Sequence, residues 1–143
     1  MANVNRKITI QAPAERIWAI LEDPKLQSEL NPDLRLLTNT PSTVGGFDNT
    51  WEYNMYGMMF HGSTSIKVFD QPQHMVYETT GGIPSTWDWQ LSEQADGTVV
   101  VVRLNYGLPG LFGTIFLRPV VELQNQNTVE RELRNLKRMS EVK

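Results

Sequence analysis

The chain contains no cysteine and only two histidines, His61 and His74, among its 143 residues. The first absence removes disulfide staples, thiolate metal sites and cysteine nucleophiles together. The second leaves no chelating pair, because neither histidine has another at i+2, i+3 or i+4. No metal is expected, and no motif calls for a cofactor. His61 shares an outward strand register with Ser63, Ser65 and Lys67, and His74 falls in a turn after Pro72. Charge of one sign is also scarce. With 13 basic against 16 acidic residues the net charge is -3, unsuited to tracking a phosphate backbone, so no nucleic-acid partner is expected. Long apolar runs are missing too. The longest, Leu108 to Val121, is broken by Pro109, Arg118 and Pro119, which argues against integral membrane association, and the polar opening residues lack an export signal. One cytoplasmic domain over residues 1–143 is the expectation, with 40% hydrophobic residues to build one core.

Motifs for phosphate or acyl chemistry are equally absent. Gly107, Gly110 and Gly113 recur at intervals of three but lack the Lys and Ser/Thr of a P-loop, and no Gly-x-Ser-x-Gly elbow occurs.

Hydrophobic periodicity supplies the positive information. Residues 4–11 alternate around Ile8 and Ile10, as in a half-buried strand. Pro13 and Glu15 then mark a helix start, and Ile17, Trp18, Ile20 and Leu21 form its apolar stripe. Asp23-Pro24 ends it and opens a second short helix, Lys25 to Leu30, closed by Asn31-Pro32. From Leu34 to Tyr106 the period becomes two, with turn residues at intervals that suit a meander of six strands. The inward sets are Leu34 and Leu36; Trp51, Tyr53 and Met55; Phe60, Thr64, Ile66 and Val68; Met75, Tyr77 and Thr79; Trp87, Trp89 and Leu91; and Val100, Val102, Leu104 and Tyr106. The last segment returns to helical spacing, with Val129, Leu133 and Leu136 on one stripe. A helix from Leu111 to Glu141 would measure roughly 46 Å, so a kink or restart is expected at Pro119.

The element order is α+β: a strand, two short helices, six strands and one long helix that must cover a curved sheet. At this level the sequence resembles the START-like, or Bet v1-like, superfamily (SRPBCC), which includes polyketide cyclases and lipid-transfer proteins. The resemblance rests on "ITIQAPAERIWAILEDPKLQSELNP", with Pro13, Ile17, Trp18, Asp23 and Pro24 in place, on "VYETTGGIPSTWDWQLSEQADGTVVVVRLNYGLPG", and on "VERELRNLKRM". One departure is Leu30, where many relatives carry Trp before Asn-Pro. The resemblance implies a helix-grip fold: a seven-stranded antiparallel sheet wrapped round the terminal helix, with a hydrophobic cavity between them. The function it implies is binding or transport of a small hydrophobic ligand such as a lipid, isoprenoid, quinone or aromatic polyketide. Fold analogy leaves a polyketide cyclase or dehydratase and a co-chaperone or toxin-like interaction module as alternatives. A solid interior would favour the interaction module, a roomy cavity the other two.

Aromatics with polar tips in the inward register suit such a cavity, where they stack on a ligand and orient it. The expected wall is Trp51, Tyr53, Met55, Phe60, Tyr77, Trp87, Trp89 and Tyr106 from the sheet, with Asn125 and Val129 from the terminal helix. Extending the helical stripe backward brings Arg118, Glu122 and Asn125 onto the same face. Two outcomes follow. Either Glu122 meets the cavity, where its carboxyl becomes the candidate acid or base, or a phase change at Pro119 turns it out and brings in Leu117, Val121 and Leu123; the second is slightly preferred. Phe112 and Phe116, in an apolar segment beside the helix start, are candidates for transient membrane contact as cargo moves, although packing is the simpler expectation.

Overall fold

The computed structural model describes residues 2–55, 57–81, 83–107 and 118–142. Strand β1 (Ala2–Ile10) is followed by α1 (Ala14–Glu22), a single 3-10 turn (Pro24–Leu26) and α2 (Gln27–Leu30). Six strands come next: β2 (Leu34–Pro41), β3 (Phe47–Met55), β4 (Met58–Asp70), β5 (His74–Thr80), β6 (Ser85–Gln94) and β7 (Gly97–Tyr106). Helix α3 (Arg118–Glu141) completes the chain. The strands form one antiparallel sheet in the order β1-β7-β6-β5-β4-β3-β2, so the first strand pairs with the last and the rest is an uninterrupted meander. This is the helix-grip α+β arrangement, in which α3 packs on β1 and on both short helices.

The start of α1 is locked to β6 and β7, whereas α2 packs on β2. Ala14 N donates to Glu93 Oε1 at 2.9 Å, so a β6 carboxylate caps α1 where Pro13 offers no capping side chain. Thr98 Oγ1 donates to Ala12 O at 2.7 Å, tying β7 to the same corner. Under this corner Ile10, Ile17, Trp18, Val100, Val102, Val129 and Leu136 are fully buried.

Register explains where the inward pattern holds and where it shifts. In β4 an extra residue lies between Ile66 and Val68, because Ile66 pairs with Tyr77 while Val68 pairs with Val76. This bulge corrects the expected inward position of Val68: it joins Val76 on the outer face, and Phe69 turns inward beside Met75. Phe69 then meets Trp18 edge to face, with ring centroids 5.1 Å apart. His74, expected in a turn, instead opens β5, and its Nε2 lies 2.8 Å from Asp88 Oδ1.

The terminal helix also differs from expectation. Pro119 is its second residue, a position where the missing N–H costs nothing, so no kink is needed among the described residues. The inner arc runs in one phase through Val121, Asn125, Thr128, Val129, Glu132, Leu133, Leu136 and Ser140. Val121 is buried, as the preferred phase change requires, but Leu123 is 54% exposed and Asn125 stays on the inner arc, which corrects the rest of that expectation. Leu117, Phe112 and Phe116 lie outside the described residues.

Leu136 is fully buried among these core groups. Truncation by Leu136→Ala is expected to cost about 2–5 kcal/mol, measured as a lower urea midpoint with little change in slope.

Candidate functional site: an aromatic cavity with one buried carboxyl

The concave face of the sheet and the N-terminal half of α3 enclose a cavity of about 160 Å³. Alternation within each strand delivers its wall. Trp51, Tyr53 and Met55 come from β3, Phe60 from β4, Tyr77 from β5, Trp87 from β6 and Tyr106 from β7. Several are direct cross-strand neighbours: Tyr53 opposite Phe60, and Tyr77 opposite Trp87. The Tyr77 and Trp87 rings stack with centroids 6.0 Å apart. Gly62 lies opposite Trp51, and a Cβ there would collide with the indole and with Thr80 O. The absent side chain lets the Trp51 ring lie against the sheet, where its Nε1 donates to Thr64 Oγ1 at 2.9 Å.

Two residues expected on the wall are not part of it. Trp89 stacks on Trp87, with centroids 6.1 Å apart, but is 1% exposed and lies behind the cavity in the core. Val129 points into the same packed region from α3. Trp89 touches the site indirectly, because its Nε1 donates to Tyr77 Oη at 3.2 Å. That bond occupies an acceptor lobe of the phenol, and Tyr77's own hydrogen has no acceptor among the described residues. Burial, reinforced by the charge of Glu132, raises the Tyr77 pKa, so the group stays a neutral hydrogen-bond donor.

The polar side of the cavity comes from α3 and from the end of α2. Asn125 and Thr128 line it, and Tyr53 Oη lies 3.2 Å from Thr128 Oγ1 while accepting from Gln124 Nε2 at 3.0 Å. Burial raises the Tyr53 pKa as well. The carboxyls that reach the cavity are the buried Glu132 and, from the end of α1, the half-buried Glu22; Glu122 is half-buried and off the cavity. Glu132 is 7% exposed, and its hydrogen bond among the described residues comes from Asn31 Nδ2, at a long 3.5 Å. Asn31 cannot easily turn. Its Oδ1 accepts from Arg131 Nη2 at 2.7 Å and from Asp33 N at 3.2 Å, which leaves the amide NH₂ facing the carboxyl. Arg131 in turn pairs with Asp33 Oδ2 at 2.9 Å. Burial pushes the Glu132 pKa up to about 7, against the lowering influence of Arg131 and Asn31.

Neither Glu132 nor Asn31 emerges from sequence reasoning. A three-residue stripe of Val129, Leu133 and Leu136 is narrower than the real inner arc, and Glu132 sits at i+3 from Val129 and i-4 from Leu136, inside the arc that a covered helix needs. Asn31 reads as punctuation because proline follows it. Among the described residues no group of three or more His, Asp or Glu is placed to hold a metal ion.

A carboxyl whose pKa is higher in the folded than in the unfolded chain contributes stability at low pH, lost as pH rises through the folded value. The wild type should therefore lose stability between about pH 4.5 and 7 through Glu132. Glu132→Gln should be more stable than wild type at pH 8, by roughly 2–4 kcal/mol, and the gap should close at pH 5. Urea denaturation at both pH values measures it.

Comparison with known proteins agrees with this architecture. A START superfamily protein from Mycobacterium smegmatis superposes with a TM-score of 0.76 at 17% identity, covering 97% of both chains. A protein from Thermus thermophilus gives 0.71 at 21% identity, also with 97% of each chain covered. The di-domain ARO/CYC BexL of the BE-7585A biosynthetic pathway gives 0.75 at 15% identity, with 99% of this chain matching 50% of that one. At these identities the likeness establishes the fold alone. No curated protein shows significant sequence similarity to the chain. The model of the family described as polyketide cyclase / dehydrase and lipid transport matches residues 1–141, and the chain belongs to that family.

Proposed function

We propose that the protein binds a small, largely apolar molecule in the cavity between the sheet and α3. The observation that carries this reading is the composition of the wall: stacked and edge-on aromatics over most of it, with hydroxyl, amide and carboxyl groups gathered on the α3 side. That division orients an amphiphilic guest, since its apolar part displaces little bound water from the aromatic side while its polar end finds partners. The volume of about 160 Å³ is of the size that accommodates a single aromatic ring, as in cavities of roughly 150 Å³ that take up benzene. An open interior favours binding or catalysis over a protein-interaction role. No helix among the described residues is long and apolar enough to cross a membrane, in keeping with a guest taken up by a folded domain.

A second reading, acid-base catalysis in the same cavity, is favoured by one observation: Glu132 titrates near neutral pH within electrostatic reach of the Tyr77 hydroxyl. The family's description names polyketide cyclases and dehydrases, so polyketides are the substrate class to try on this reading. On that reading Glu132→Gln abolishes turnover without abolishing binding.

Phenol, a neutral single-ring probe, is expected to bind at a one-to-one ratio and to alter tryptophan fluorescence through Trp51 and Trp87. Asn125→Phe fills the cavity from the helix side and should weaken that binding by about tenfold or more while the fold is retained, as checked by circular dichroism. Equal binding by wild type and variant places the probe elsewhere and removes the cavity reading.

A further inference from the structure

Building on the cavity reading, we propose that the guest is a small aromatic molecule bearing a protonated amine. Its nitrogen meets the Glu132 carboxylate, and its ring lies against Tyr77 and Trp87.

The first support is an imbalance of charge. Two carboxyl groups reach the wall, Glu132 from α3 and Glu22 from the end of α1, yet no Lys, Arg or His lies among the described lining residues. An anionic guest such as a fatty-acid carboxylate or a phosphate would be desolvated beside carboxyl groups with no cation on the described wall, and the nearby Arg131 is already engaged by Asn31 and Asp33. The second support is the unfinished bonding of Glu132. It is only 7% exposed, it faces the cavity, and among the described residues it receives only the long contact from Asn31. The neighbouring guanidinium does not complete it, because Arg131 directs Nη2 to Asn31 and Asp33. Counting Arg131, Asp33 and ionised Glu132, this corner carries one net negative charge, which a single ammonium group neutralises. The third support is the aromatic surround. Tyr53, Tyr77 and Trp87 line the same cavity as Glu132, and aromatic faces attract an ammonium group.

These parts have a pH signature. The groups facing Glu132 are Asn31 and Asp33 after α2, Arg131 on α3, Tyr53 on β3 and Tyr77 on β5, and the tyrosines stay neutral near pH 7 because burial raises them. His61 and His74 pair with Glu52 and Asp88, all four off the cavity wall. Since Glu132 must lose its proton to hold the ammonium group, binding tightens as pH rises past about 7. A guest accepting a hydrogen bond from neutral Glu132 would show the opposite trend.

The test is calorimetric titration with three near-isosteric probes: phenethylamine, phenethyl alcohol and hydrocinnamate. At pH 8 the amine should bind about tenfold tighter than the alcohol, the worth of a charge-assisted hydrogen bond, and hydrocinnamate weakest. Amine affinity should rise about tenfold from pH 6 to pH 8, while the alcohol stays flat. Glu132→Gln should erase both the amine preference and the pH slope, leaving amine and alcohol affinities within about twofold of each other. If that variant fails to fold, the wild-type pH slope alone decides. An amine no tighter than the alcohol, or tightening toward acid pH, overturns the amine assignment. Phenol binding separates the two levels: if it persists, the cavity reading survives the loss of the amine, and if phenol and all three probes fail, the cavity reading falls first.

Discussion

A single helix cannot fill the concave face of a seven-stranded sheet, and most features of this protein follow from that mismatch. Over β1, β7 and the short helices, α3 presents Val129, Leu133 and Leu136 and the interior closes to a dry core. On the adjacent strip of the same arc Asn125, Thr128 and Glu132 face the sheet, and contact gives way to a cavity. The change from apolar to polar on one helix face therefore coincides with the change from packed to open space. A polar group facing a tight core is costly, whereas the same group facing a cavity has room for water or a guest.

Much of the sheet was legible because period-two alternation is a local property of the chain. Trp51, Tyr53, Met55, Phe60, Tyr77, Trp87 and Tyr106 reach the cavity from positions that alternation alone assigns to the inner face. Val68 departs because a bulge is a pairing event between two strands, invisible in either sequence by itself. Trp89 departs for another reason. Alternation gives the face of a residue but not its depth along the sheet, and two residues beyond Trp87 the cavity has already closed. The helix was harder to read. Pro119 suggests interruption until its place at the helix start is known, and Glu132 looks like one more charge on a charged helix.

The polar side shows how a buried carboxyl is held without a direct ion pair. Arg131 lies next to Glu132 in sequence but sends its guanidinium to Asn31 and Asp33, so its influence on the carboxyl acts through space and through the orientation of one amide. Removing Asn31 would leave Arg131 held by Asp33 and take from Glu132 its donor among the described residues. The Asn31-Pro32 step is thus both the end of α2 and a fixed part of the cavity wall.

The links from Asp33 to Arg131, Asn31 and Glu132 also connect two dielectric regimes. The outer pair is about one-third exposed, with side-chain exposures of 36% for Asp33 and 30% for Arg131, whereas Glu132 at the inner end is buried. Dissolved ions therefore weaken the outer attraction far more than the inner one. Ionic strength becomes a variable that the interior senses without any ion entering it: as the outer pair loosens, the guanidinium is less firmly held and the amide less firmly aimed. The interior of this protein is in that sense tuned by the salt outside it.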